Sequence, residues 1–251
     1  MNAEQRRVRI ENYLQKVEFA SLDELSQQVN ASASTIRRDL SAMEAAGNIR
    51  RTHGGARLVA PRTDEFSFLH RGLNQQEDKE RIGAACEDLI ENNQTVICDA
   101  GTTVFIVAKH LESRTPQILT NSLPIATYYA SNSHLEVILS GGVIYPRLGV
   151  LVGPLAVDAF RRMNVDVAIM GAGGLTEEGA TNSHVLLIDI QRAMMAAATK
   201  VILCLDASKI GRKSVTHLCG LDQIDVLVTT ADPPKPIRAA LEKNGTEIIV
   251  A

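Results

Sequence analysis

Residues 32–43 read Ser32-Ala-Ser-Thr-Ile-Arg-Arg-Asp-Leu-Ser-Ala-Met43. Ile36, Leu40 and Met43 recur at the spacing that lines one face of an α-helix. Ser32 is placed to cap the start of that helix and Gly47 to end it. At about 100° per residue from Ile36, the side chains of Ser34, Arg37, Arg38 and Ser41 turn away from the apolar face. Thr35 and Ser32 add hydroxyls at the same end. Hydrogen-bond donors and positive charge on the outward, N-terminal half of a short helix suit insertion into a DNA major groove. The arginine fork can pair with guanine O6 and N7 or clamp a phosphate.

Working outward strengthens that reading. Upstream, Ile10, Leu14 and Val17 repeat at helical spacing, which predicts a first helix. Ser21-Leu-Asp-Glu24 has the form of a capping box and opens a second, with Leu22, Leu25 and Val29 on its core face. Asn30-Ala31 supplies a turn into the third. Downstream, Ile49-Arg-Arg-Thr-His-Gly-Gly-Ala-Arg-Leu-Val59 places extended residues around a Gly54-Gly55 turn. This predicts a small hairpin, lined by Arg50, Arg51, His53 and Arg57. A basic hairpin directly after such a helix is the wing of a winged helix-turn-helix, over residues 1–58.

The charge distribution agrees. The chain carries a formal net charge of −3, which taken alone argues against nucleic acid. Residues 32–58, however, hold five arginines against Asp39 and Glu44, a local balance of +3 that leaves −6 for the rest. A basic patch on an acidic protein is an electrostatic footprint for DNA. No run nears the roughly 18 apolar residues of a membrane span. The polar start MNAEQRRVRIENYLQ has no apolar leader core, so the expected location is cytoplasmic. Cys86, Cys98, Cys204 and Cys219 are far apart and the histidines are scattered, so neither a metal nor another cofactor is expected.

The segment Ser34-Thr-Ile-Arg-Arg-Asp-Leu40, with Gly47 and Arg51-Thr-His-Gly-Gly-Ala56, resembles the DeoR family of bacterial transcription regulators. The resemblance continues through residues 77–230. It implies a repressor of a sugar-catabolism operon, released by a phosphorylated intermediate. It also implies a C-terminal sensor domain similar in fold to ribose-5-phosphate isomerase.

Residues 59–76 are polar, with Phe66, Phe68 and Leu69 as isolated apolar positions, and read as a linker. From residue 77 to 251 the pattern alternates. Apolar strands are predicted at 95–99, 117–120, 135–140, 165–170, 201–205, 226–228 and 248–250, with helices between most of them. This is an α/β domain with a parallel-rich sheet covered on both faces. Ligands in such folds sit at the carboxyl ends of the strands. There the sequence places Asp99-Ala-Gly101-Thr102-Thr103, Thr120-Asn121-Ser122, Gly141-Gly142, Gly171-Ala-Gly-Gly174 and Asp206-Ala-Ser-Lys209. Gly101, Thr102 and Thr103 open a helix and form a candidate phosphate cradle. Lys209 adds a point charge.

The family resemblance implies the same phosphate loop, a second loop at Asn121 and Ser122, a third at Gly141 and Gly142, and Lys209 in an Asp-x-Ser-Lys motif. Asp99 and Gly171 complete the expected effector site. In the helix after the fourth glycine loop this chain departs from the family pattern, with Asp189 and Arg192 as its only charges.

Two other classes compete. A sugar-phosphate isomerase fused to a DNA-binding domain would need a general base and an electrophile, for which Asp99, Asp206 and Lys209 are available. The acids Glu177 and Glu178 instead read as an exposed turn, and no paired Asp-Gly-Ala-Asp-like acid is present. No catalytic residue is therefore assigned. A purely architectural DNA binder leaves about 175 residues of α/β domain without a task. The expected partners are a double-stranded DNA operator, a phosphorylated sugar and further copies of the chain, as a dimer or tetramer, since one helix-turn-helix reads too few base pairs for a unique address.

Overall fold

The computed structural model describes the chain apart from residues 1–2, 15–16, 18, 46–48, 53, 59–67, 69–71, 73 and 133–134, and apart from the side chains at 4, 11, 12, 58 and 132. Gly47, His53 and most of the 59–76 segment thus lie outside the described residues. The chain divides into two compact units, 1–65 and 66–251.

In the first unit, α1 (Ala3–Leu14), α2 (Leu22–Val29) and α3 (Ala33–Ala45) enclose a core of Ile10, Leu14, Leu25, Val29, Ile36, Leu40 and Met43. The capping box forms as the sequence predicts. Ser21 Oγ accepts from Glu24 N at 3.2 Å, and Glu24 Oε2 accepts from Ser21 N at 2.7 Å. Strand β1 (Ala20–Ser21) joins β2 (Ile49–Thr52) and β3 (Gly55–Leu58) in a small antiparallel sheet of order β1-β3-β2. Thr52 pairs with Gly55, so Gly55 is already in a strand and not in the turn expected at Gly54-Gly55.

The second unit is built on seven parallel strands: β4 (Thr95–Cys98), β5 (Gln117–Thr120), β6 (Val137–Leu139), β9 (Val165–Met170), β12 (Ala198–Leu205), β14 (Val226–Thr229) and β15 (Glu247–Val250). Their order is β15-β14-β12-β9-β4-β5-β6. Successive side chains alternate between two cores, as the pleat requires. Val96, Cys98, Val167, Ile169, Ile202 and Cys204 pack on one face. Ile97, Ala168, Met170, Leu203 and Leu205 pack on the other. The first core is closed by α4 (Gln76–Glu87), α5 (Thr102–His110) and α6 (Leu123–Asn132), the second by α7 (Pro154–Arg161), α8 (Val185–Ala196) and α9 (Lys235–Lys243). Phe68, expected in the linker, packs edge-on against Phe105 of α5 with ring centroids 5.7 Å apart.

Two smaller sheets were not foreseen. The hairpin of β7 (Val143–Tyr145) and β8 (Val150–Val152) follows the Gly141-Gly142 loop. β10 (Gly174–Thr176), β11 (Gly179–Asn182) and β13 (Thr216–Cys219) form the other. All four cysteines are free and buried, with Cys86 Sγ 3.3 Å from Cys204 Sγ. Burial pushes the Cys219 thiol up to about 11.

Candidate functional site

On α3 the outward face predicted from the sequence is present. Ser34, Arg37, Arg38 and Ser41 are exposed, while Ile36, Leu40 and Met43 are buried. Ser32 caps the helix: its Oγ accepts from Thr35 N at 3.3 Å and lies 2.9 Å from both Ser34 Oγ and Thr35 Oγ1. Asp39, counted above against the arginines, does not face outward. It is buried, and its carboxylate accepts from Nε of Arg6 and, at 3.3 Å, from Nε of Arg7. Its charge is therefore balanced by α1, and among the described residues no ion pair neutralises the outward arginines of α3.

The hairpin sorts its arginines by face. Arg50 pairs with Arg57, and Arg51 with buried Ala56. Side chains alternate along a strand, so Arg50 and Arg57 share the face opposite to that of Ile49 and Ala56. Directly opposed like charges are unfavourable in a sheet; a bound polyanion would relieve them. Arg51 lies on the other face. Its Nη1 donates to Ser41 Oγ at 2.8 Å, and its backbone N–H donates to Glu44 Oε1 at 3.0 Å.

In the large unit, strand order identifies a crevice. From β4 the chain runs outward through β5 and β6, then returns to the other side of β4 with β9, β12, β14 and β15. The switch point lies between the carboxyl ends of β4 and β9, the position where open parallel sheets bind ligands. Asp99 directly follows β4 and Gly171 directly follows β9, and Gly171 N donates to Asp99 Oδ2 at 3.2 Å. Beside them α5 begins after Gly101, in extended conformation and with no side chain capping the helix. Its first N–H groups, with the positive end of the helix dipole, are suited to an anion. Thr102 is only 7% exposed and Thr103 is half-buried.

Several other expected residues are engaged in the framework. Asp99 Oδ1 accepts from Ala100 N at 2.7 Å, and Oδ2 also accepts from Gln191 Nε2 at 2.7 Å. Asn121 is buried; its Nδ2 donates to Leu151 O at 3.0 Å, fastening the β7–β8 hairpin, while its Oδ1 is buried without a hydrogen-bond partner. Ser122 Oγ accepts from Ile125 N at 3.4 Å and starts α6. Gly142 has φ +116, and a Cβ there would lie 2.7 Å from Val152 O. Gly141 also has positive φ, at +71. Asp206 caps the 3-10 turn holding Lys209, through Ser208 N at 3.0 Å. Glu177 and Glu178 are exposed, as expected, and Glu178 pairs with Lys213 at 2.5 Å. That pairing holds the Glu178 carboxyl below its usual range. Asp189 is exposed, and Arg192 grips the backbone carbonyls of Leu218 and His217 at 2.9 and 3.0 Å.

Sequence reading missed Gln191 and Asn182. Gln191 Nε2 bonds Asp99 and, at 3.2 Å, Gly171 O, while its Oε1 accepts from Asn182 Nδ2 at 2.9 Å. The available signal was a polar residue on the apolar stripe of α8, among Leu187, Ile188, Met194 and Met195.

Comparison with known proteins matches this architecture. The DeoR-like helix-turn-helix domain model matches residues 6–62, and the DeoR C-terminal sensor domain model matches residues 74–231. The chain belongs to the DeoR family. Among its relatives, the HTH-type transcriptional repressor GlcR of Bacillus subtilis (strain 168) is 32% identical over 100% of this chain and 97% of its own length. The HTH-type transcriptional regulator GolR of Listeria innocua serovar 6a is 31% identical over 92% of each. Among solved structures, ribose 5-phosphate isomerase A of Methanocaldococcus jannaschii aligns at 12% identity and TM-score 0.41, over 54% of this chain and 55% of that one. This DeoR-family chain is thus a transcription regulator with a DNA-binding unit and a sensor unit. No helix among its described residues is long and apolar enough to cross a membrane.

Proposed function

We propose that this DeoR-family chain represses a carbohydrate-catabolism operon in the cytoplasm, as a dimer or tetramer. It holds double-stranded operator DNA through Arg37, Arg38 and the wing, and lets go when a phosphorylated sugar enters the crevice between β4 and β9. The observation that carries this reading is the uncapped start of α5 at the switch point of a parallel sheet. Backbone N–H groups of Thr102 and Thr103 would receive the phosphate, and Lys209 on a nearby rim loop would add charge. The names of GlcR and GolR as a repressor and a regulator support the reading.

Thr102 is buried, so a carboxylate there would disturb the fold. The half-buried Thr103 is the better position, because an acid in the first turn of a helix is favourable to the dipole. Thr103→Glu should occupy the anion seat from within the chain. A panel of sugar phosphates is screened by thermal shift, since a ligand of the native state raises its melting temperature. At least one should stabilise wild type and release it from operator, and Thr103→Glu should lose both responses while still binding DNA. By linkage, operator should weaken effector binding by the same factor. Undiminished effector affinity in Thr103→Glu would place the phosphate elsewhere.

A further inference from the structure

Arg51 lies within the basic wing, yet its contacts set it apart from the other two arginines there. It projects from the face of β2 that carries Ile49 and pairs with Ala56, the face turned to the core of the unit. Its Nη1 donates to Ser41 Oγ at 2.8 Å, and Ser41 Oγ in turn donates to Arg37 O at 2.8 Å. A chain of two hydrogen bonds therefore runs from the wing to the turn of α3 that presents Arg37. The second link between the elements is backbone: Arg51 N donates to Glu44 Oε1 at 3.0 Å. Since β2 is the outer strand of its sheet, Glu44 covers an N–H that would otherwise lie on an open edge. Ser41 uses its proton on Arg37 and accepts from Arg51, so its hydroxyl donor is not free for a base or phosphate.

We propose that Arg51 is a positioning residue that braces the wing against the recognition helix, and that the phosphate contacts of the wing fall to Arg50 and Arg57. The proposal rests on the operator-binding reading above. Arg50 and Arg57 face each other across the hairpin on its opposite side, where no carboxylate of this unit is hydrogen-bonded to them among the described residues. The brace fixes the angle between wing and helix. It thus acts on sequence discrimination, which needs both elements seated at once, more than on attraction to DNA in general.

The test measures binding of full-length protein to two duplexes across a salt series. One is a random-sequence duplex; the other is selected from a random library by the wild-type protein. Arg50→Ala and Arg57→Ala should each flatten the plot of log affinity against log salt by about 1 on both duplexes. Arg51→Ala should leave the slope on the random duplex unchanged and lower affinity for the selected duplex about tenfold. Ser41→Ala, which removes no charge and cannot harm helix propensity, should give the same selective loss. The double variant should lose no more than either single one, because the two side chains act as one unit. A slope reduced by about 1 in Arg51→Ala, or losses that add in the double variant, would overturn the brace while leaving operator binding intact. Wild type showing no salt-dependent affinity for either duplex would overturn the operator reading and the brace with it.

Discussion

The two units of this chain handle polar residues in opposite ways. In the first, the residues that face DNA in the proposed reading are exposed: Ser34, Arg37, Arg38, Arg50 and Arg57. In the second, the polar side chains at the strand ends are mostly buried: Asp99, Thr102, Asn121, Ser122 and Asp206, with Thr103 and Lys209 half-buried. A convex reader presents side chains to a large partner, and the fold beneath needs only to hold the helix. A concave sensor has to build its crevice from loops, and the polar residues at the strand ends are largely consumed in building it. What remains for the ligand is backbone N–H groups and a few exposed donors. Substitutions of these exposed residues in the first unit should therefore cost function alone, whereas those of the buried polar residues in the second should cost the fold.

The largest expected effect tests this directly. Asp99→Ala would strip acceptors from the buried Ala100 N and Gln191 Nε2 and from the half-buried Gly171 N at the switch point. Leaving buried donors unmade costs about 1–3 kcal/mol each, so the sensor unit should lose roughly 3–5 kcal/mol in denaturant unfolding. Arg37→Ala or Arg38→Ala should leave unfolding within about 0.5 kcal/mol of wild type and weaken operator binding by about 1–3 kcal/mol. Equal stability of the Asp99 and Arg38 variants would break the contrast.

A pair of glycines sharpens it within the sensor unit, since both were assigned to the effector. Gly142→Ala would force a Cβ to 2.7 Å from Val152 O at a backbone of φ +116. This should cost about 1–3 kcal/mol of stability. At Gly171 φ is ordinary, and a Cβ would meet only Val104 Cγ2 at 3.6 Å and Asp99 Oδ2 at 3.8 Å. Gly171→Ala should fold normally, yet intrude on the crevice and weaken the sugar phosphate about tenfold in calorimetric titration. If Gly171→Ala binds the effector as wild type does, the crevice is not the seat.

The same contrast explains what could be read from the sequence. The five inner strands of the large sheet were legible because burial on both faces makes them largely apolar runs, such as Val226-Leu-Val228, and the half-exposed edge strands β6 and β15 were legible from their short apolar cores alone. The hairpins at β7–β8 and β10–β11 were not, since the first has strands of only three residues and the second is rich in glycine and threonine, and both carry too little pattern. On α3 the outward face followed from helical periodicity alone. The engagement of Ser41 by Arg51 did not, because it depends on where the wing folds back. At the switch point the chemistry of Asp99 was visible, but its inward commitment was not, because Gln191 stands 92 residues further along the chain.

The smallest expected effect concerns pH in the first unit. Glu24 is fully exposed, yet its carboxyl is held below the ordinary value of 4.5, first by the backbone N–H of Ser21 and then by the Ser21 hydroxyl. Because the folded value is the depressed one, the contribution is fully present above 4.5 and is lost as pH falls through the lower, folded value. Glu24→Gln keeps an acceptor for the capping box but cannot ionise. At neutral pH it should melt slightly below wild type, and the gap should close as pH drops below 4.5. Melting curves of the full chain between pH of about 7 and 3, followed through the helical signal of this unit, would show the convergence. A gap that stays constant over that range would mean that the capping box works through geometry alone. Charge at the N-terminus of α2 would then contribute nothing measurable to holding the recognition helix in place.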